Sequence, residues 1–197
     1  MTRHVLSPLA VALVAALAAC SGGNRSAPEP VSASPPAAPA SASPSGDSAP
    51  LAKSSVTLYF PSAEENTLVA EIREIVDTKR PEDRGAQILA ALLDGPTTEG
   101  ALPAVPAGTT LRRLWVRDTG YAYADFSEEL SGAATGGSAD EILTVYAIVN
   151  SLTENIPEIR RVGILVAGRE RATFGHLDLS RPLPPDLTLA ERPQAAE

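Results

Sequence analysis

The sequence predicts a small α/β domain of the α+β kind, with one mixed β-sheet packed against two main helices. Three stretches carry that expectation. In residues 138–156, Ile142, Val145, Tyr146, Val149, Leu152 and Ile156 recur at helical spacing and form one apolar stripe. Right after it, VGILV at 162–166 is too short for a helix and suits a strand buried on both faces. Further upstream, 111–117 and 121–126 flank an Asp118-Thr119-Gly120 turn, the pattern of a hairpin.

In chain order, residues 1–19 place Arg3 and His4 before a mostly apolar run. A membrane-spanning helix needs about 20 apolar residues, so this run has the length and order of a secretory signal instead. It ends at Cys20, followed by Ser21, Gly22 and Gly23, which resembles a bacterial lipobox. Cys20 is then expected to be the lipid-modified first residue of the mature chain. The plainer alternative is a soluble secreted protein with a chance cysteine at that place. Cys20 is the only cysteine, so no disulfide forms within the chain despite an exported address. Two or more acyl chains such as palmitate anchor firmly, because each buried CH₂ contributes roughly 0.8 kcal/mol. Residues 20–53 are rich in Ser, Ala and Pro without hydrophobic period, so they read as a disordered tether.

The globular domain is expected over 54–187, with a frayed tail at 188–197. VTLYF at 56–60 is dense in strand formers. Residues 68–75 alternate, Ile72 against Arg73 and Glu74 against Ile75, and read as a second strand. Pro81, Glu82 and Asp83 suit a first helical turn, and Ile88, Leu89, Leu92 and Leu93 form its apolar face. Gly95 and Pro96 stop that helix, glycine being fitted to the left-handed cap. A proline-set loop spans 97–108. In the hairpin, Leu114 and Val116 share one face, and Arg113, Trp115 and Arg117 the other. Residues 131–137 form a small, flexible lead. Ser138 and Glu141 then have the spacing of a capping box at the start of the long helix. Pro157 closes that helix. Residues 172–179 read as a last strand, and Pro182, Pro184 and Pro185 end the ordered part.

Taken together, these pieces resemble the GerMN domain family. The matching segments are VTLYF (56–60), Leu68, Val69 and Arg73, ALLDGP (91–96) and PAGT (106–109). ADFS (124–127), VNSLT (149–153), VGILVAG (162–168) and GHLD (175–178) complete them. The resemblance covers most of 56–183 and rests on order and spacing rather than on one motif. It implies an α/β domain on envelope lipoproteins, similar to ring-building modules of sporulation or germination complexes that assemble rather than catalyse. It also assigns structural roles to Gly95, Pro96, Asn150, Gly168 and His176. The family occurs outside spore formers as well, so sporulation itself does not follow.

Chemistry is sparse. His176 is the only histidine outside the leader, and beyond Cys20 no thiol exists, so no zinc site and no cofactor are expected. A Ser–His–Asp set would need His176 with Asp178, which share a face on an alternating strand, but no Gly-x-Ser-x-Gly elbow exists. Carboxylate pairs for glycoside cleavage, drawn from Glu128, Glu129, Asp140 and Glu141, are common in an acidic chain and stand where helix starts favour acids. Asn150, if buried, must be paired, and a bond tying its helix to a loop is the expectation. Net charge −8 argues against nucleic acid as a partner. Arg112, Arg113, Arg117, Arg160, Arg161, Arg169 and Arg171 fall on or beside strands. Arg112, Arg113, Trp115 and Arg117 are therefore the candidate partner-binding residues. The plain alternative is charge covering a solvent face, with an arginine stacked on the indole. The sequence thus predicts a non-enzymatic protein held to a membrane by its lipid and engaged with an envelope protein complex. A cell-wall glycan or other anionic envelope polymer is the second partner class, and a wall-acting hydrolase ranks last.

Overall fold

A computed structural model describes residues 51–190 apart from Gly136. The stretch expected to be a signal segment, Cys20 and most of the expected tether lie outside these residues, as does the chain beyond Ala190. Strand β1 (Lys53–Pro61) pairs antiparallel with β2 (Leu68–Val76). Helix α1 (Pro81–Leu93) follows, then β3 (Leu111–Val116) and β4 (Tyr121–Phe126). A 3₁₀ segment (Glu128–Thr135) leads to helix α2 (Ser138–Asn155) and to β5 (Arg161–Val166). The two-residue strands β6 (Arg169–Glu170), β7 (Thr173–Phe174) and β8 (Leu177–Asp178) complete the order.

The strands divide into separate sheets rather than one. β1 and β2 form a two-stranded sheet, β3-β4-β5-β6 a four-stranded one, and β7-β8 a two-stranded one. In the four-stranded sheet β4 and β5 run parallel, with α2 as part of their crossover, while the other pairs are antiparallel. This is the expected mixed α/β domain with two main helices.

Helix α2 packs most extensively on β1 and also touches α1, β5 and β8. It is accordingly buried on more than one stripe. Val145, Val149, Leu152 and Ile156 lie inside as expected, but so do Leu143, Ala147 and Ile148, whereas Ile142 and Tyr146 are only partly covered. Polar side chains of α2 take part in the packing too. Ser151 Oγ accepts the Tyr59 N–H at 3.0 Å. Asn155 Oδ1 accepts the Thr57 N–H at 2.9 Å, and its Nδ2 donates to the Thr57 carbonyl at 2.6 Å. One helical turn of α2 thus satisfies the free edge of β1 as a neighbouring strand would. Asn150 Nδ2 donates to the Asp186 carbonyl at 2.8 Å and its Oδ1 accepts the Asp186 N–H at 2.9 Å, tying the helix to the C-terminal loop.

Several expectations are corrected. The capping box is absent: the N-cap of α2 is Gly137, with no side-chain cap bond, and Ser138 is already helical. Residues 131–135 form 3₁₀ helix rather than a flexible lead. The last strand is broken into the β7-β8 hairpin, because Gly175 takes φ +56°. On β2 the alternation is inverted at its centre, with Glu71 buried and Ile72 74% exposed. Order also continues past the prolines and past Leu187. Leu183 bridges Val162, Leu187–Leu189 form a 3₁₀ turn capped by Asp186, and Ala190 bridges Leu68. Strand β5 is buried on its core side through Val162, Ile164 and Val166, whereas Leu165 on the other side is partly exposed.

Candidate functional site

The four-stranded sheet turns Ala122, Ala124 and Phe126 of β4 into the core, so Tyr121, Tyr123 and Asp125 stand on its outer face. Register then fixes their neighbours. Arg113 pairs with Asp125, Asp125 with Leu165, and Leu165 with Glu170. The middle row is Trp115, Tyr123 and Gly163. The third is Arg117, whose N–H reaches the Tyr121 carbonyl, then Tyr121 and Arg161. An aromatic row is therefore bordered by charge on both sides.

Gly163 shapes this face. A Cβ at that position would come within 2.7 Å of the Tyr123 ring, so any other residue there would push the ring away from β5. The guanidinium of Arg113 sits 5.5 Å from the Trp115 ring centroid, the stacking expected for an exposed indole. Trp115 and Tyr121 remain 36% and 39% exposed. Together they open a groove of about 690 Å³ that Arg117, Asp118 and Glu170 also line. Among the described residues the side chains of Arg117, Asp118 and Glu170 have no hydrogen-bonding or ionic partner.

The arginines do not gather into one basic patch. Arg113 and Arg117 share the groove face with Trp115. Arg112, set off by a bulge, is paired with Asp125 at 3.2 Å. Arg160 donates to the Thr119 carbonyl at 2.9 Å, Arg161 to that of Pro182 at 3.3 Å, and Arg171 pairs with Glu128 at 2.7 Å. With Asp118 and Glu170 present, the groove is mixed in sign. Sequence reasoning missed Tyr121, Tyr123 and Glu170. The alternation of β4 and the Asp118-Thr119-Gly120 turn held the signal, because together they set Trp115 opposite Tyr123.

The family-motif residues hold the frame. Gly95 follows the C-cap of α1 with φ +87°, and its carbonyl accepts Arg73 Nη2 at 2.8 Å. Pro96 leads directly into the loop that Glu71 holds. Gly168 (φ +77°) completes the β5-β6 turn and donates its N–H to Asp125 Oδ1 at 2.7 Å. His176 sits in the β7-β8 turn, with its N–H on Glu141 Oε2 at 2.8 Å. Its Nδ1 lies 3.3 Å from both Glu141 Oε2 and Ser138 Oγ. Catalysis by such a set needs the serine on one ring nitrogen and the carboxylate on the other. Here both meet the same nitrogen, and the buried Glu141 carboxylate caps the turn. Asp178 is engaged separately, accepting the Ser180 N–H at 2.8 Å.

Glu71 is the most perturbed acid. Burial alone pushes its carboxyl up, but hydrogen bonds from Thr97 and Thr98 more than reverse this and hold it at about 2. Thr97 donates its N–H and hydroxyl, and Thr98 its N–H, each at 2.8 Å, while Arg73 pairs with the same carboxylate. The group fastens the 97–98 loop to β2. Among the described residues no group of His, Cys, Asp and Glu could hold a metal ion, and no helix is long and apolar enough to cross a membrane.

The architecture is that of a small mixed α/β domain, with polar core side chains bound to backbone and an open aromatic face. Comparison with known proteins places it: the chain belongs to the Germane family, described as sporulation and spore germination, whose model matches residues 57–172, more than half of it. Among solved structures, the tandem GerMN domains of the sporulation protein GerM from Bacillus subtilis are similar, with TM-score 0.56 and 22% identity over 66% of this chain and 46% of that one. The first GerMN domain of that protein gives TM-score 0.50 and 22% identity over 68% of this chain and 96% of that one. A candidate lipoprotein from Clostridium perfringens gives TM-score 0.49 and 27% identity over 67% and 87%. No curated protein matches.

Proposed function

We propose that the protein is a lipid-anchored component of the cell envelope whose Germane domain works as a non-enzymatic assembly or binding module, in complexes of the sporulation or germination type. The observation that carries this reading is how the domain uses its polar groups. Glu71, Glu141, Asn150, Ser151 and Asn155 each bind backbone and so hold the frame. The unengaged polar side chains of the groove stand instead on an open sheet face, which suits contact rather than turnover. Family membership supports the envelope setting. The Cys20 lipobox supports the anchor, and the tether lets the domain work away from its membrane.

Two measurements test it. Cys20→Ala is expected to release the folded protein from membranes in detergent-free fractionation, and equal retention would refute the anchor. Crosslinking in cells, followed by identification of what is attached to the domain, tests the module; recovery of a defined envelope complex is the expected result.

A further inference from the structure

We propose that the outer face of the four-stranded sheet is a glycan-stacking platform, with Trp115, Tyr121 and Tyr123 as its floor and Arg117, Asp118 and Glu170 as its polar walls. The proposal rests on reading the domain as a binding module, and not on the lipid anchor.

The occupant follows from the chemistry of the groove. Aromatic rings lying along a sheet offer flat apolar surface with a polar tip, and the C–H face of a sugar ring matches it. The groove of about 690 Å³ is in the range of small-ligand sites. Its charges decide the rest. A polyanion would meet Arg117 but also Asp118 and Glu170, two like charges with no cation paired to them among the described residues. A purely apolar helix would strip water from all three without satisfying them. An uncharged polyhydroxylated chain offers each group what it lacks: hydroxyl oxygens to accept from Arg117, and hydroxyl hydrogens to give to Asp118 and Glu170. Gly163 belongs to the same floor, because a side chain there would meet the Tyr123 ring and displace it. A linear cell-wall glycan combines these properties.

Trp115 is the only tryptophan in the chain, so intrinsic fluorescence reports this groove alone. The mature chain carrying Cys20→Ala would be titrated with chitohexaose, a linear N-acetylglucosamine oligomer, and its retention on sacculi stripped of anionic polymers would be measured. The expected result is a saturable change in emission that persists from about 0.05 M to about 0.5 M salt, since no net charge is matched. Tyr121→Ala is expected to weaken the titration about tenfold, and Trp115→Ala to weaken sacculus retention likewise, both with native circular dichroism. No emission change together with no retention overturns the proposal. So does binding that disappears at high salt, which marks a polyanion, or binding untouched by both substitutions, which places it elsewhere. Saturation by a synthetic proline-rich peptide spanning residues 28–50 in place of the sugar would assign the groove to the tether and overturn it too. None of these outcomes depends on membrane retention, so a failed platform and a failed anchor are separable.

Discussion

Glu71 offers the sharpest test of how the buried polar groups hold this fold. Its carboxylate is 5% exposed and accepts three hydrogen bonds from Thr97 and Thr98 beside Arg73. Its pKa falls from 4.5 to about 2 on folding. At about 1.4 kcal/mol per unit, that difference corresponds to roughly 3 kcal/mol of stability. Because the folded value is the lower one, this contribution is fully present above about 4.5. It is lost as pH falls through that value toward about 2. Glu71→Gln keeps the shape but replaces one acceptor oxygen with a donor facing N–H groups. The variant is expected to be less stable by roughly 3 kcal/mol near neutrality. Urea midpoints of both proteins, measured from about pH 6 to about pH 3, give the difference curve, in which every other carboxylate cancels. That difference is expected to shrink by about 2 kcal/mol over the range. Parallel curves would show that the Glu71 charge is not what fastens the 97–98 loop.

Leu152→Ala removes a side chain with no exposure and is expected to cost roughly 2–5 kcal/mol in denaturant unfolding, against a smaller loss for the exposed His176→Ala. An unchanged midpoint for Leu152→Ala would mean that α2 presents another face to the core. Asn155→Ala frees both backbone groups of Thr57 from their partner and is expected to cost about 1–3 kcal/mol. Faster amide exchange at Thr57 should accompany it, and unaltered exchange there would rule out the strand-like role of α2.

The elements legible in the sequence are those whose pattern and tertiary demand agree. Helix α2, strands β1 and β5 and the β3-β4 hairpin have apolar periods that their neighbours then bury. Gly95 was readable because a left-handed cap is a local requirement. The errors fall where a local pattern has two readings and a distant partner chooses. Ser138 and Glu141 have capping-box spacing, yet the Glu141 carboxylate is taken by the His176 N–H, 35 residues away. No window around residue 141 contains that fact. Gly175 explains the competition from the other side. A Cβ there would fall within 1.9 Å of the Glu141 carboxylate, so the hairpin turn and the buried acid require each other. On β2, polarity alone puts Ile72 inside and Glu71 outside. The donors of Thr97, Thr98 and Arg73 reverse the order, since a carboxylate with that many partners tolerates burial.

The sheet face was half legible for a related reason. A list of arginines near strands suggests a basic patch, because sequence shows charge but not which charges are already engaged. Arg112, Arg160, Arg161 and Arg171 find carboxylates or carbonyls through turns and bulges whose geometry no alternation rule contains. What remains is set by register. Once the Asp118-Thr119-Gly120 turn fixes Trp115 opposite Tyr123, the parallel pairing with β5 brings Gly163 to the end of the same row. That glycine reads in the sequence as one member of a buried run. In the fold it is the gap that admits the edge of the Tyr123 ring, and a side chain there would displace that ring. The surface therefore depends on a residue with no side chain of its own, and only pairing between strands reveals it.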